Sequence, residues 1–217
     1  MRHIDREATI LELAAGKRVL HLGCVGHDFA EETDPVRRYA RSLHAKIEGV
    51  ASEVVGVDMN AEALAQYEQA GVAAKMIVGN VEQLETLELG DAFDVIVSGN
   101  VIEHLSHPGM MVDGMRALSH PGTTVLVTTP HAFGLPQYVR YVRGRFQESD
   151  DHMMTFNGPS LANLVERHGF RVVSIDTSNP YGPPKGLKRR LKFRLVRAFL
   201  GRFPHLGRTL VVHAELP

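Results

Sequence analysis

The sequence predicts an α/β protein built on a mostly parallel sheet with helices on both faces. Three observations predict it. Strand-like and helix-like stretches alternate along the chain. The strand-like ones, such as Val19-Leu20-His21-Leu22 and Val54-Val55-Gly56-Val57, are nearly unbroken apolar runs, as strands buried on both faces are. The length of 217 residues, 44% of them apolar, suffices for one domain with a substantial core. Open sheets of this kind bind ligands beyond the carboxyl ends of their strands. The turns that follow the strands are therefore where function is to be read.

Each element has its own warrant. Residues 18–22 form the first strand. Asp34 before Pro35 is an N-cap followed by proline at the first helical position, so a helix opens there and runs to about residue 46. Residues 53–58 are the second strand, and Asn60 caps the next helix, which ends near Gly71. Residues 74–78 and 93–98 are the third and fourth strands. A helix spans about 110–119, and 123–129, β-branched except at Leu126, is the fifth strand. Residues 130–158 mix prolines, glycines, aromatics and charges and read as an extended, lid-like loop. Ser160 caps a helix that Gly169 closes. Residues 170–175 and 208–214 complete the strands. A single domain over residues 1–217, with no internal repeat, accounts for the pattern.

Composition removes several classes. No stretch approaches the roughly 18–20 apolar residues of a membrane span. Cys24 is the single cysteine, which excludes an intrachain disulfide and a Cys-rich zinc site. The first seven residues carry no apolar signal core, so the expected location is the cytoplasm. The net charge is −1, but residues 181–208 hold nine Lys/Arg and no Asp or Glu. The body is therefore acidic, which argues against a broad nucleic-acid-binding face and for one localised contact with something anionic.

The turns carry the site. After the first strand comes Gly23-Cys24-Val25-Gly26, where two glycines let the backbone turn sharply against a ligand. It is neither the G-x-G-x-x-G dinucleotide pattern nor a phosphate-binding loop, since no Gly-Lys-Ser/Thr follows. Asp58 ends the second strand, where a carboxylate can accept from both hydroxyls of a ribose. The alternative, that Asp58 caps the following helix, is weakened by the better-placed Asn60. Met59 can pack on a flat base or fill core. Asn80, after the third strand, can pair with an adenine edge or simply form the turn.

Together these residues resemble the class I S-adenosylmethionine-dependent methyltransferases, over residues 17–175. The motifs are Val19-Leu20-His21-Leu22-Gly23-Cys24-Val25-Gly26, Val55-Gly56-Val57-Asp58, Val78-Gly79-Asn80-Val81, the run Phe93-Asp94-Val95-Ile96-Val97-Ser98 leading to Ile102-Glu103-His104-Leu105, and the fifth-strand stretch from Leu118 to Pro130. The resemblance implies a Rossmann-like three-layer sandwich with a seven-stranded, mostly parallel sheet and an antiparallel last strand. It also implies S-adenosylmethionine as cofactor, held by His21, Gly23, Cys24, Gly26, Asp58, Met59, Asn80, Val81 and Ser98. Two positions depart from the family. His21 stands where an acid often helps hold the methionine amino group, and Asn80 stands where the third strand often ends in an acid.

Methyl transfer to a hydroxyl needs alignment and a base, and histidine is the base best tuned to neutral pH. His104 follows the fourth strand and His152 lies in the later loop; these are the candidate catalytic residues. Glu103 and His104 read alternatively as a helix-start cap and a buried, satisfied side chain. The Glu-His pair with a later His resembles the branch that includes quinone-biosynthesis and sugar-modifying O-methyltransferases. In its metal-using members a carboxylate, this pair and the later His bind a divalent ion. Carried over, the set is Asn100, Glu103, His104 and His152, one carboxylate short, so the expectation is a site without metal. Two imidazoles and one carboxylate would suit a transition metal better than Mg²⁺. His107, His120, His131 and His168 read as surface or turn residues.

From 186 to 200, Leu187, Leu191, Leu195 and Phe199 form one stripe of a helix whose remaining surface holds Lys188, Arg189, Arg190, Lys192, Arg194 and Arg197. Pro183-Pro184 before it suggests a stiff connection. Such a segment can grip an anionic substrate or lie on the inner face of a membrane. The reading is a small-molecule O-methyltransferase acting on a sugar, phenolic or glycolipid-precursor hydroxyl. The alternatives are N- or C-methylation and a non-catalytic cofactor-binding scaffold.

Overall fold

A computed structural model describes residues 1–26, 32–145, 149–179 and 187–217, with the side chains of 187–192 excepted. The expectations that fall on Pro183-Pro184 and on the side chains of Leu187 through Lys192 lie outside the described residues. Seven strands form one sheet: β1 (Arg18–Leu22), β2 (Glu53–Asp58), β3 (Met76–Val78), β4 (Phe93–Gly99), β5 (Ser119–Pro130), β6 (Arg171–Ser178) and β7 (Thr209–Glu215). Their order is β3-β2-β1-β4-β5-β7-β6. β7 runs antiparallel to both of its neighbours, and the other pairings are parallel. The fold is the three-layer Rossmann-like sandwich expected, with the reversed last strand.

Among the described residues the α-helices are α1 (Arg6–Ala14), which precedes β1, and α2 (Pro35–Arg41), α3 (Leu43–Glu48), α4 (Ala61–Gln69), α5 (Pro108–Ala117), α6 (Leu135–Val142), α7 (Gly158–Arg167) and α8 (Leu187–Arg202), which lie between strands. On one face Ile10 and Ala14 of α1 and Ile47 of α3 pack on Val19, Val95, Val97 and Leu126. On the other, Met111 and Met115 of α5 and Leu161 and Val165 of α7 pack on Leu20, Leu22, Ile96 and Val127. Removing that apolar surface from water, at about 25 cal/mol per Å², is what joins the layers. Among the described residues no helix is long and apolar enough to cross a membrane.

Several boundaries differ for identifiable reasons. The helix expected over 34–46 is two, because Ser42 leaves helical geometry and caps α3 by accepting from Ala45 N–H. Asp34 and Asn60 cap as expected. The cap of α7 is Asn157, not Ser160, which sits three residues on and reciprocates in a capping box. The 130–158 stretch is not wholly extended: Gly134 and Pro136 start α6. The N-terminal helix α1 was not anticipated. Its approach is fixed by the preceding residues: Ile4 N–H donates to the Thr177 carbonyl, Thr177 N–H to the Arg2 carbonyl, and Arg2 pairs with Asp176 at 2.9 Å.

The parallel register sets Leu22 beside Val57 and Ser98, and Asp58 beside Val78. The turns after β1, β2, β3 and β4 therefore share one edge. Because β7 starts where β5 and β6 end, α6 and α8 also lie at that edge.

Candidate active site at the carboxyl edge

The glycine turn is a built feature. Gly23 has φ +75°, and a Cβ there would collide with Val101 Cγ2, so no other residue fits without displacing Val101. Gly26, φ +68°, ends the turn, and among the described residues nothing stands within 4 Å of where its Cβ would be. Asp58 ties the turn down: one carboxylate oxygen accepts Val25 N–H at 2.9 Å and the other accepts Asn60 N–H at 2.9 Å. The carboxylate thus braces both turns and, with further lone pairs, can still accept from a ligand. Asn60, not Asp58, caps α4. Met59 is 67% exposed, so its side chain stands at the edge and fills no core.

Asn80 uses its side-chain oxygen to cap the short turn at Val81–Thr86, accepting from Glu82 N–H at 2.9 Å. The turn-forming role holds; its amide NH₂ is a separate donor. Two expected contacts point elsewhere. Val81 is buried in the core. Ser98 is fully buried and its hydroxyl donates to Met111 Sδ at 3.7 Å, so its side chain faces α5 and not the edge. Cys24 is buried against α4, and burial with Asp58 nearby pushes its thiol well up, which leaves it an unreactive packing group.

His21 is buried, and its Nδ1 lies 3.2 Å from Nδ1 of His44 on α3 with the rings 11° apart. Burial, reinforced by His44 and Arg6, holds His21 well below the ordinary histidine range, and burial puts His44 at about 4. Both imidazoles are neutral at physiological pH, and one of the facing nitrogens carries the shared hydrogen.

Arg6 and Asn100 were brought together by no sequence signal. The N-terminal turn of α1 sends the Arg6 guanidinium to the end of β4, where it donates to the Asn100 side-chain oxygen at 3.0 Å and to Thr128 Oγ1 at 3.4 Å. Burial lowers its pKa, with Glu7 and Glu103 acting the other way. Asn100 has φ +56°, a left-handed conformation that asparagine tolerates better than most residues.

Next to it, Glu103, His104 and His152 place ligand-capable atoms within 4.8 Å of one another. Glu103 is 1% exposed and accepts from Thr129 Oγ1 at 2.9 Å, while its backbone carbonyl accepts Met153 N–H and so fastens the later loop to the end of β4. His104 and His152 meet edge to face at 4.8 Å. His104 Nδ1 lies 3.2 Å from an Asp151 carboxylate oxygen and 3.2 Å from the Asp151 carbonyl. Asp151, the sequence neighbour of His152, faces His104 instead. Its carboxyl is held low, first by Ser149 and then by the nearby histidines, so it stays ionised. Of the four-residue metal set, three converge and Asn100 is turned to Arg6.

Two of the remaining histidines are ordinary surface pairs: His120 with Asp94 at 3.2 Å and His168 with Asp113 at 2.6 Å. His107 is exposed beside Glu82. His131 is not a surface residue: it is buried, with Nδ1 3.1 Å from the Gly207 carbonyl, and serves the joint between β5 and β7.

A doubly wound sheet with a glycine turn, an acidic second-strand end and a histidine cluster on one edge defines a Rossmann-like cofactor-binding enzyme. Residues 2–175 match the family described as a methyltransferase domain, and the chain belongs to this family, the S-adenosylmethionine-dependent methyltransferases. It is 31% identical over 174 residues to the mitochondrial ubiquinone biosynthesis O-methyltransferase of Mus musculus, across 74% of this chain and 43% of that one. It is 25% identical over 181 residues to the ubiquinone biosynthesis O-methyltransferase of Burkholderia orbicola, across 77% and 71%. The match to the Nitrobacter winogradskyi protein of the same name is 26% over 129 residues and spans 44% of it, less than half its length. Among solved structures, a SAM-dependent methyltransferase from Archaeoglobus fulgidus superposes with a TM-score of 0.61 at 15% identity, over 96% of this chain and 92% of that one. The N-methyltransferase NodS of Bradyrhizobium japonicum, bound to S-adenosylhomocysteine, gives 0.58 at 12%, over 98% and 86%. These last two establish the fold.

Proposed function

We propose that this protein transfers the methyl group of S-adenosylmethionine to a small-molecule hydroxyl, with His104 as the general base. The observation that carries the reading is the His104–Asp151 pair beside Glu103 and His152. The acceptors beside His104 Nδ1 favour the proton there, with Nε2, a buried atom, as the basic nitrogen. The cofactor would lie along the edge with its ribose on Asp58, its base near Met59 and Asn80, and its methionine end toward His21 and Arg6. Arg6 would face the carboxylate, the one anionic group of the cofactor. Neutral His21 would face the ammonium as an acceptor, replacing the family's acid. The relatives' names favour oxygen over nitrogen or carbon as the acceptor atom, and a phenolic or sugar hydroxyl is the substrate class proposed.

A second reading is favoured by one observation, the convergence of Glu103, His104 and His152. Two imidazoles and a carboxylate fit a divalent transition ion, which would lower the pKa of a bound acceptor hydroxyl. In that reading His104 is a ligand and not a base. The deciding experiment is methyl transfer to a panel of catechols and hydroxylated sugars, with and without chelator, for wild type and His104→Gln. Chelator-resistant turnover with a histidine-like limb in the pH profile supports the base. Turnover lost to chelator and restored by Zn²⁺ or Mn²⁺ supports the metal. Transfer to amines alone would overturn the hydroxyl assignment.

A further inference from the structure

The helix α6 is inside out. Leu135, Tyr138, Val139 and Val142 recur at the spacing of one helical stripe, yet they are 39%, 59%, 37% and 70% exposed. The buried residue of the helix is the polar Gln137. Beside it, α8 leaves Leu195, Val196 and Phe199 exposed as well. Leu135 and Pro136 of α6, with Leu195, Val196 and Phe199 of α8 and Leu206 beyond it, line an apolar cavity of about 280 Å³. Both helices lie at the edge that carries Glu103 and His104.

The charge around this surface has one sign. No Asp or Glu occurs between Asp176 and Glu215, or from His131 to Gln147. Arg143 and Arg145 follow α6, and Arg194, Arg197 and Arg202 project from α8, all on exposed positions. The sequence of α8 adds Lys188, Arg189, Arg190 and Lys192. An exposed apolar stripe rimmed by arginine, on a chain whose remainder is acidic, is complementary to a lipid surface with anionic headgroups. Apolar side chains enter the acyl boundary while the guanidinium groups remain among the phosphates.

We infer that α6 and α8 together form a docking face for an anionic membrane, which presents the catalytic edge to acceptors residing in the lipid. The inference stands on the two helices and their charge, and it does not require the hydroxyl assignment.

The test is co-sedimentation of the full chain with vesicles of phosphatidylcholine alone and of phosphatidylcholine with 30% phosphatidylglycerol. Binding is expected to the second and not the first, and to fall steeply with salt. Arg194→Glu with Arg197→Glu should weaken it more than tenfold. Val142→Ser with Phe199→Ser should weaken it while leaving the salt dependence in place. All four positions are exposed, and unchanged circular dichroism will show that the variants fold. No binding to anionic vesicles at low salt overturns the inference, as does equal binding by the charge-reversed variant. Retention on a heparin column without vesicle binding, or a concentration-dependent dimer abolished by Phe199→Ser, would assign the face to a polyanion or a second copy and overturn the lipid partner. S-adenosylhomocysteine affinity is measured alongside, so that failure of docking and failure of the methyltransferase reading are distinguished.

Discussion

His21 and His44 form a buried imidazole pair, Nδ1 to Nδ1 at 3.2 Å, beneath the glycine turn. The pair resists protonation: His44 is held at about 4 and His21 well below its usual value, chiefly by burial. The unfolded chain binds protons at these histidines below about pH 6.5; in the folded chain His44 does not until about pH 4, and burial holds His21 well below its ordinary value too. Unfolding therefore takes up protons in that window, and stability falls with decreasing pH by up to about 1.4 kcal/mol per pH unit for each imidazole. His3, His131 and His213 are also lowered by burial, so the readout is a difference. Urea unfolding of wild type and His44→Phe between pH 7.5 and 4.5 should give a shallower slope for the variant. Identical slopes would mean that His44 is hydrated in solution.

Asp58 braces two turns and is the proposed ribose acceptor, and its removal should test both roles. Its oxygens hold Val25 N–H and Asn60 N–H, so Asp58→Ala loosens the turns on either side as well as deleting the proposed ribose acceptor. Cofactor affinity should fall by roughly 1.5–3 kcal/mol, the scale of hydrogen bonds to a charged group. Calorimetric titration with S-adenosylhomocysteine checks this. Asp58→Asn keeps an acceptor and should lose less; an unchanged affinity in folded Asp58→Ala would remove the ribose role.

How much of this was readable in advance depends on how local each signal is. The central strands were legible because burial on both faces writes an apolar run into the sequence. The same double burial hid the direction of Ser98: with Val97 and Ser98 both buried, no alternation says which faces the edge. Glu103 and His104 were legible because they are adjacent and follow a strand end. Asp151 was legible only as an acid beside His152, and the fold turns it to the other imidazole. Arg6 was not legible at all. Its partner Asn100 is 94 residues away, and the contact exists only because residues 2–4 pair with β6 and deliver α1 to the edge. α1 itself buries little more than Ile10 and Ala14, too few for a helical stripe to stand out.

Arg6 should read the carboxylate of the cofactor and nothing else of it. Arg6→Ala is expected to weaken S-adenosylhomocysteine binding by roughly 1.5–3 kcal/mol. Methylthioadenosine, which keeps the nucleoside and lacks the carboxylate, should bind wild type and variant alike. Arg6→Lys keeps the charge without the planar fork that reaches Asn100 and Thr128 together, and should fall between the two. An equal loss for both ligands would mean that Arg6 supports the loop at Asn100 and does not face the methionine end.

His104 tests the chemistry apart from the binding. As a base it acts only when the acceptor loses its proton, so His104→Gln should lower kcat by about 10²–10⁴-fold. Affinity for S-adenosylhomocysteine should not change, because the cofactor's methionine end is proposed to lie toward His21 and Arg6. Asp151→Asn removes the ionised partner on Nδ1 but leaves the backbone carbonyl, 3.2 Å away, to hold the same tautomer. The cost should therefore be smaller than that of His104→Gln. An Asp151→Asn rate equal to that of wild type would show that the carboxylate does not act on His104. Turnover by His104→Gln at the wild-type rate would pass the role of base to His152.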